Sequence, residues 1–249
     1  MMDVLLVDDD AFTRQGICAY LESLQFGVQQ AGDAATGWQM ARERPFPLAI
    51  IDILLPADAN QTDIPQEPKG IALTLKLKEA FPTMGVVLLS AHAAFEREVI
   101  GLAQRFVRSV AFLHKGGEMA RLPMALAQVQ QGRILLPAGV NRVAVEAAVK
   151  SHIGYEELPW IEHALNHIPQ LTPREREIAW LLATSYTPEG IAQRLYLAKG
   201  SVENSITQIY RKLGLADMRE EDVGLRPLPI LVKACLLADI RQERSKTGD

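Results

Sequence analysis

Short apolar runs alternate with amphipathic stretches over the first half of the chain. The apolar run at residues 4–7 is followed by a stretch in which Ile17, Leu21 and Leu24 recur at the spacing of one helix face. The alternation then predicts, in order, a strand at 28–31, a helix at 34–44, a strand at 48–52, a helix at 71–80, a strand at 86–89, a helix at 95–106, a strand at 110–113 and a helix at 119–130. Five strands alternating with five helices predict an α/β fold, with a five-stranded parallel sheet covered on both faces.

The second half of the chain follows a different pattern. Prolines and glycines interrupt helix-like pieces over residues 133–170, which predicts a partly structured helical linker. Beyond it the pattern predicts helices only, at 173–184, 188–195, 199–213 and 230–241. We therefore predict a sheet domain over residues 1–132, a linker over 133–170 and an all-α domain over 171–249.

The composition is that of a globular protein with two domains of ordinary size. Of 249 residues, 48% are hydrophobic and 22% are charged. No apolar run approaches the roughly 18 residues that a membrane span needs, and acids directly follow the first apolar run, which excludes a secretory signal. We expect a cytoplasmic protein without a membrane partner, in which Cys18 and Cys235 are reduced and buried.

The net charge of -4 hides an asymmetry between the two halves. Residues 1–132 hold 11 Lys and Arg against 15 Asp and Glu, whereas residues 171–213 hold 6 against 4. Because nucleic-acid binding needs positive charge, any contact with DNA is expected from the second half.

Chemically active side chains follow four of the predicted strands at the point where each strand ends. They are Asp8, Asp9, Asp10, Asp52, Ser90 and Lys115. In an open parallel sheet the carboxyl ends of the strands form the crevice in which functional groups gather. Carboxylates held close together repel one another and need a cation, and Mg²⁺ suits such a site because it takes one or two carboxylates and keeps phosphate oxygens in its shell. Asp10 is expected to be a loop residue or the cap of the next helix.

Asp52 is the candidate nucleophile of this group. With a cation beside it, its carboxylate can attack a phosphoryl group and form an acyl phosphate. Lys115 can pair with the new charge, and the hydroxyl of Ser90 can donate a hydrogen bond to a phosphoryl oxygen.

A known family carries these residues in the same order and approximate spacing. The matching residues are Val7-Asp8-Asp9, Asp52, Leu55-Pro56, Ser90-Ala91 and Lys115. Over about residues 2–132 they resemble the receiver domain of bacterial two-component response regulators. The resemblance implies a flavodoxin-like fold and phosphorylation of Asp52 by a histidine kinase. It also implies Mg²⁺ bound through Asp8, Asp9 and Asp52, and a switch in which Phe112 reorients with Ser90.

The chain departs from the receiver pattern in the loops. The glycine that usually follows the Leu-Pro of the third strand has its nearest match in Gly70, so residues 57–69 form an insertion beside the pocket. We expect a tolerated loop there, with a lid or a kinase-docking surface as alternatives. Arg108-Ser109 replaces the usual Gly-Ala before the fifth strand, and Gly116 stands where many receivers carry proline.

A strong helix start opens the last domain. Thr172 is the predicted N-cap, Pro173 takes the first helical position, and Glu175 closes a capping box. The stretch from LTPREREIAWLLA to KGSVENSITQIYRKLGL resembles the C-terminal helix-turn-helix of the LuxR/NarL regulators over most of residues 171–215. The resemblance implies that the helix from about 199 to 212 enters the major groove of double-stranded DNA. It also implies binding to paired half-sites as a homodimer, through the last helix.

The candidate DNA contacts lie on the predicted recognition helix. They are Lys199, Ser201, Glu203, Asn204, Gln208, Arg211 and Lys212. We expect Arg211 and Lys212 to contact phosphates. Glu203 stands where the family carries a basic residue, and a carboxylate near phosphates lowers affinity, although it can accept a hydrogen bond from cytosine.

Together these residues predict a transcription regulator whose DNA binding depends on phosphorylation of Asp52, with no enzymatic activity beyond its own phosphotransfer and dephosphorylation. The alternative is an atypical receiver that acts through protein contacts, with weak or lost DNA binding. A stand-alone phosphatase is disfavoured because Phe12 stands where the aspartate-nucleophile phosphatases carry threonine. His163 and His167 have the spacing of helical metal ligands, but the glutamate and cysteine that such sites use are missing, and we expect both at the linker surface.

Overall fold

The computed structural model describes residues 2–60, 68–91, 96–137, 139–216, 218 and 224–242. Its contacts divide the chain into two compact units. The first unit comprises residues 1–98, 109–130 and 135–138, and the second comprises residues 99–108, 131–134 and 139–249. The domain limits at residues 132 and 170 stay a prediction.

Five parallel strands form the sheet of the first unit, in the spatial order β2-β1-β3-β4-β5. They are β1 (Met2–Val7), β2 (Phe26–Ala31), β3 (Leu48–Asp52), β4 (Gly85–Ser90) and β5 (Val110–His114). β3 and β4 are buried along their whole length, as expected for strands that are covered on both faces. The predicted five-stranded α/β fold is confirmed.

The helices of this part of the chain are α1 (Ala11–Ser23), α2 (Ala34–Glu43), α3 (Lys69–Ala80), α4 (Glu96–Gln104) and α5 (Leu122–Gln130), which follows a 3-10 turn at Met119–Arg121. Apolar side chains of α1 and α5 pack with β1, β3, β4 and β5 in one core. The strand order runs from β1 to β2 on one side and from β1 to β3 on the other. This reversal opens a crevice at the carboxyl ends of β1 and β3.

Gly70 lies in close contact with the end of β3. Its amide donates a hydrogen bond to Ile53 O at 3.0 Å, and a Cβ at this position would lie 1.8 Å from Asp52 O. Because this approach admits only glycine, the packing supports Gly70 as the counterpart of the family glycine. The insertion at 57–69 precedes it, and residues 61–67 of that insertion lie outside the described residues.

The second unit takes in residues 99–104 of α4 and the α-helices that follow residue 139. They are α6 (Arg142–Lys150), α7 (Leu158–His167), α8 (Pro173–Ala183), α9 (Pro188–Leu195), α10 (Lys199–Lys212) and α11 (Pro227–Gln242). The linker pattern did not predict α7, since Pro159 indicates a break. In the structure Pro159 takes the first turn of this helix, where a missing N–H leaves no hydrogen bond unmade.

The last helix, α11, belongs to the core of its unit. Its residues from Ile230 to Ile240 are almost all buried, Cys235 among them, and α11 packs against α6, α7 and α8. Most of α11 therefore belongs to the interior of its unit, and the dimer contact expected through the last helix stays a prediction. Cys18 is also buried, as predicted. No helix within the described ranges is long and apolar enough to cross a bilayer.

Candidate functional site

Three carboxylates meet at the carboxyl ends of β1 and β3. Asp8 and Asp52 are buried and Asp9 is exposed, and one oxygen of each lies within 4.8 Å of an oxygen of the others. Within the described residues this is the only group of three or more acidic, cysteine or histidine side chains with such spacing. The fold therefore brings together the three carboxylates that were predicted to bind the cation.

Lys115 follows β5 and bridges the two buried carboxylates. Its Nζ lies 2.5 Å from Asp52 Oδ2 and 2.7 Å from Asp8 Oδ2, and its side chain is only 16% exposed. Buried charges need such a partner, because their desolvation is otherwise uncompensated.

The pKa shifts reflect this balance between burial and pairing. Burial raises the pKa of Asp8 and of Asp52, and hydrogen bonds from Lys115 oppose the rise. Burial lowers the pKa of Lys115, but its hydrogen bonds to the two carboxylates outweigh burial and raise it. The ammonium of Lys115 contacts two of the three clustered carboxylates, and this group of hard oxygen donors suits a divalent cation such as Mg²⁺.

In each buried carboxylate, the oxygen that does not contact Lys115 accepts a hydrogen bond from a backbone amide. Asp8 Oδ1 accepts from Asp10 N at 3.0 Å, and Asp52 Oδ1 accepts from Leu54 N at 3.1 Å. Asp10 itself caps α1 by accepting from Thr13 N at 2.7 Å. Of the two roles expected for Asp10, a loop residue or a helix cap, the structure shows the helix cap.

Ser90 and Phe112 lie on the neighbouring strands β4 and β5. Ser90 ends β4 and is buried, and its carbonyl accepts from Lys115 N at 2.8 Å. Phe112 is 2% exposed and pairs in register with Leu88. The two residues are placed one strand apart, as the switch requires, and their reorientation stays a prediction.

The helix-turn-helix is formed by α9 and α10. Tyr196 caps the C-terminus of α9 and has a left-handed backbone with φ 54°, and α10 buries Val202 and Ile209. The opposite face of α10 is open to solvent. The candidate DNA contacts that are exposed there are Lys199, Ser201, Glu203, Asn204, Gln208 and Arg211.

Lys212 differs from the other candidates because its ammonium group is engaged. It lies 2.7 Å from both carboxylate oxygens of Glu175. Glu175 also accepts from Thr172 N at 2.8 Å and completes the predicted capping box, which is confirmed. The ion pair ties the end of α10 to the start of α8, so the geometry favours Arg211 over Lys212 as a phosphate contact.

A buried ion cluster in the second unit was not predicted. Asp239 of α11 accepts from the indole Nε1 of Trp180 at 2.9 Å and from Ile134 N at 3.2 Å. It also lies 3.4 Å from Arg108 Nη2 and 3.2 Å from Arg133 Nε. The signal in the sequence is a single acid within the apolar run of α11, since a buried charge needs partners.

The two histidines of α7 stack on each other. The ring centroids of His163 and His167 lie 4.2 Å apart, and His167 Nδ1 bonds to His163 O at 2.8 Å. Within the described part of the chain they join no group of metal-binding spacing.

Two family models match the chain. The model of the response regulator receiver domain matches residues 4–127, and the model of the bacterial regulatory proteins of the luxR family matches residues 169–220. The chain is 28% identical over 217 residues to the DNA-binding transcriptional activator DevR/DosR of Mycobacterium tuberculosis, covering 86% of this chain and 89% of that protein. It is 25% identical over 222 residues to the oxygen regulatory protein NreC of Staphylococcus epidermidis, covering 88% and 94%. A structure of the RcsB response regulator of Salmonella typhimurium matches with a TM-score of 0.47 and 20% identity, over 88% of this chain and 95% of that one.

Proposed function

Because this chain belongs to the response regulators, with a receiver domain followed by a luxR-family domain, we propose that it is a transcription regulator whose binding to DNA depends on phosphorylation of Asp52. The contact of Lys115 with both Asp8 and Asp52 carries this proposal. It joins a candidate nucleophile, a metal-binding carboxylate and a charge partner in one pocket.

The chemistry is a phosphoryl transfer to a carboxylate. A carboxylate oxygen of Asp52 attacks the phosphorus, the bond from phosphorus to the donor histidine nitrogen breaks, and its electron pair leaves with the imidazole. Mg²⁺, held through Asp8, Asp9 and Asp52, would neutralise charge on the phosphoryl oxygens. Lys115 pairs with the acyl phosphate, and the hydroxyl of Ser90 donates to a phosphoryl oxygen. The chain has no further enzymatic activity than this transfer and hydrolysis of its own acyl phosphate.

The consequence is a change in DNA binding. Phosphorylation shifts an existing equilibrium through Ser90 and Phe112 towards a form that binds paired half-sites as a homodimer. α10 enters the major groove with the exposed candidates described above. The partners are a histidine kinase and promoter DNA, and the protein acts in the cytoplasm.

Labelling with acetyl phosphate in the presence of Mg²⁺ tests the phosphoacceptor. We expect intact-protein mass spectrometry to show one added phosphoryl group on the wild type and none on Asp52→Asn. Asp10→Asn is the matched control, because Asp10 lies in the same acidic run but caps α1, and it should be labelled like the wild type. Equal labelling of Asp52→Asn would refute the assignment.

A further inference from the structure

β5 ends in a histidine whose side chain contacts Ala91, the residue that follows β4. His114 Nε2 lies 3.0 Å from Ala91 O, and His114 Nδ1 lies 3.1 Å from Gly116 N. A backbone N–H can only donate, so Nδ1 is the acceptor in the bond from Gly116. In a neutral ring Nε2 then carries the proton and donates it to Ala91 O. Both ring nitrogens of the neutral imidazole are used.

This contact continues the ladder between β4 and β5 by one step. Ser90 and His114 are partners in register, and the next backbone bond runs from Lys115 N to Ser90 O at 2.8 Å. The following carbonyl, that of Ala91, is held by the imidazole instead of by a backbone amide. The carbonyl of Ser90, at the end of β4, and that of Ala91, just after it, are therefore both held by residues at the end of β5. These two contacts restrain the backbone on the C-terminal side of Ser90, the residue that carries the hydroxyl.

Gly116 is needed for the imidazole to lie where it does. A Cβ at this position would lie 2.8 Å from His114 Cε1 and 3.1 Å from His114 Nδ1, too close for both groups to stay in place. Proline, which many receivers carry here, also lacks the N–H that donates to His114. With the imidazole of His114 in this place, the geometry favours glycine over alanine or proline at position 116.

The backbone of His114 is itself held by Glu118. Glu118 Oε2 accepts from His114 N at 2.9 Å, and Glu118 N donates to His114 O at 3.1 Å. A side chain can position another group only when its own backbone is fixed. The imidazole therefore acts from a rigid support.

From this geometry we propose that His114 is a positioning residue for the phosphorylation of Asp52. With Gly116 it fixes Ala91, so that the preceding Ser90 presents its hydroxyl to the incoming phosphoryl group. The inference rests on the proposed function. Neither His114 nor Gly116 belongs to the carboxylate cluster. Substitution of either residue should therefore change the rate of phosphoryl transfer and leave the affinity for Mg²⁺ unchanged.

The test is the rate of phosphorylation of the full chain at saturating acetyl phosphate and Mg²⁺. His114→Leu should slow the rate about fivefold, the change that one neutral hydrogen bond corresponds to. His114→Gln keeps an N–H donor at the end of the side chain and should stay within about twofold of the wild type. Gly116→Ala should displace the imidazole and slow the rate like His114→Leu, and the double variant should be no slower than either single one.

His152→Leu is the matched control. His152 is an exposed histidine of the second unit, and one of its ring nitrogens, Nδ1, likewise contacts a backbone carbonyl, that of Ala148, at 3.1 Å. It should be phosphorylated at the wild-type rate.

The outcomes separate this inference from the function on which it rests. An unlabelled wild type refutes the proposed function. A labelled wild type with unchanged rates in His114→Leu and Gly116→Ala overturns the role of His114 alone. A His114→Leu variant that loses rate together with Mg²⁺ affinity, measured by titration of the unphosphorylated protein, also overturns it, because the residue would then only maintain the structure of the pocket.

Discussion

The ammonium group of Lys115 lies 2.5 Å from Asp52 Oδ2. The positive charge that would pair with an acyl phosphate on Asp52 is therefore in place before phosphorylation. Asp8 shares the same ammonium at 2.7 Å. Lys115 therefore connects two properties of the pocket, the stability of its buried carboxylates and the charge balance of its phosphorylated form.

Replacing Lys115 with methionine should destabilise the metal-free protein. The change leaves two buried carboxylates without their cation. Removal of one partner of a buried ion pair lowers the free energy of unfolding by about 3 kcal/mol, and by somewhat less where the removed side chain is partly exposed. We expect the free energy of unfolding in urea to fall by about 2 kcal/mol. Lys76→Met is the control: Lys76 lies over the Trp38 ring at 4.2 Å from its centroid, a contact of about 1 kcal/mol or less. Equal losses in both variants would contradict the role of Lys115.

Mg²⁺ should stabilise the protein more at neutral than at acid pH. Burial raises the pKa of Asp8 and Asp52 above the ordinary 3.8. A carboxyl group with a raised pKa in the folded state stabilises that state while it is protonated, and the contribution is lost as the pH rises through the folded pKa. The repulsion that results is what a divalent cation relieves.

Thermal unfolding with and without Mg²⁺ measures this linkage. The increase in melting temperature on addition of Mg²⁺ should be clear at about pH 7.5. It should be small at about pH 4.5, a pH closer to the ordinary pKa values of carboxyl groups. Asp52→Asn should reduce the increase at the higher pH. The same increase at both pH values would show that the cation does not bind the titrating carboxylates.

Asp239→Ala should destabilise the second unit by about 3 to 5 kcal/mol, because it leaves a buried cation unpaired. Arg108 is 4% exposed and lies 3.4 Å from Asp239 Oδ2. Unfolding in urea followed by tryptophan fluorescence reports on the cluster, since the indole of Trp180 bonds to the same carboxylate. Glu189→Ala, at an exposed position of α9, should change little. A comparable loss in the two variants would rule out a special role for the cluster.

The strands and the acidic pocket could be predicted from the sequence, whereas the contacts that hold the pocket's surroundings could not. Parallel strands that are buried on both faces give continuous apolar runs, so the strands can be located in the sequence. Because the carboxyl ends of such strands lie at the same edge of the sheet, Asp8, Asp52 and Lys115 could be predicted to lie close together. In the sequence, His114 is recognisable only as a polar residue at the end of a strand. Its partner is the backbone carbonyl of Ala91, and every residue carries such a carbonyl, so the pattern of side chains does not indicate the contact. Asp239 was visible as an acid in an apolar helix, but its partners lie far away in sequence.

Arg211 and Lys212 should differ in their effect on DNA binding, although they are neighbours on α10. Arg211 is exposed, so Arg211→Ala should weaken binding on all sequences and reduce the salt dependence by about one unit of slope. Lys212 is held by Glu175 at 2.7 Å, so Lys212→Ala should change the slope less. Gel shifts over a range of salt concentrations measure both. Binding that neither variant alters would favour an atypical receiver that acts through protein contacts.

The dependence of DNA affinity on phosphorylation tests the central claim most directly. The affinity for the promoter of the protein's own gene is measured at one salt concentration, before and after treatment with acetyl phosphate and Mg²⁺, for the wild type and for Asp52→Asn. We expect treatment to tighten binding of the wild type and to leave Asp52→Asn unchanged. A wild type that becomes phosphorylated at Asp52 and binds DNA no differently would contradict the account.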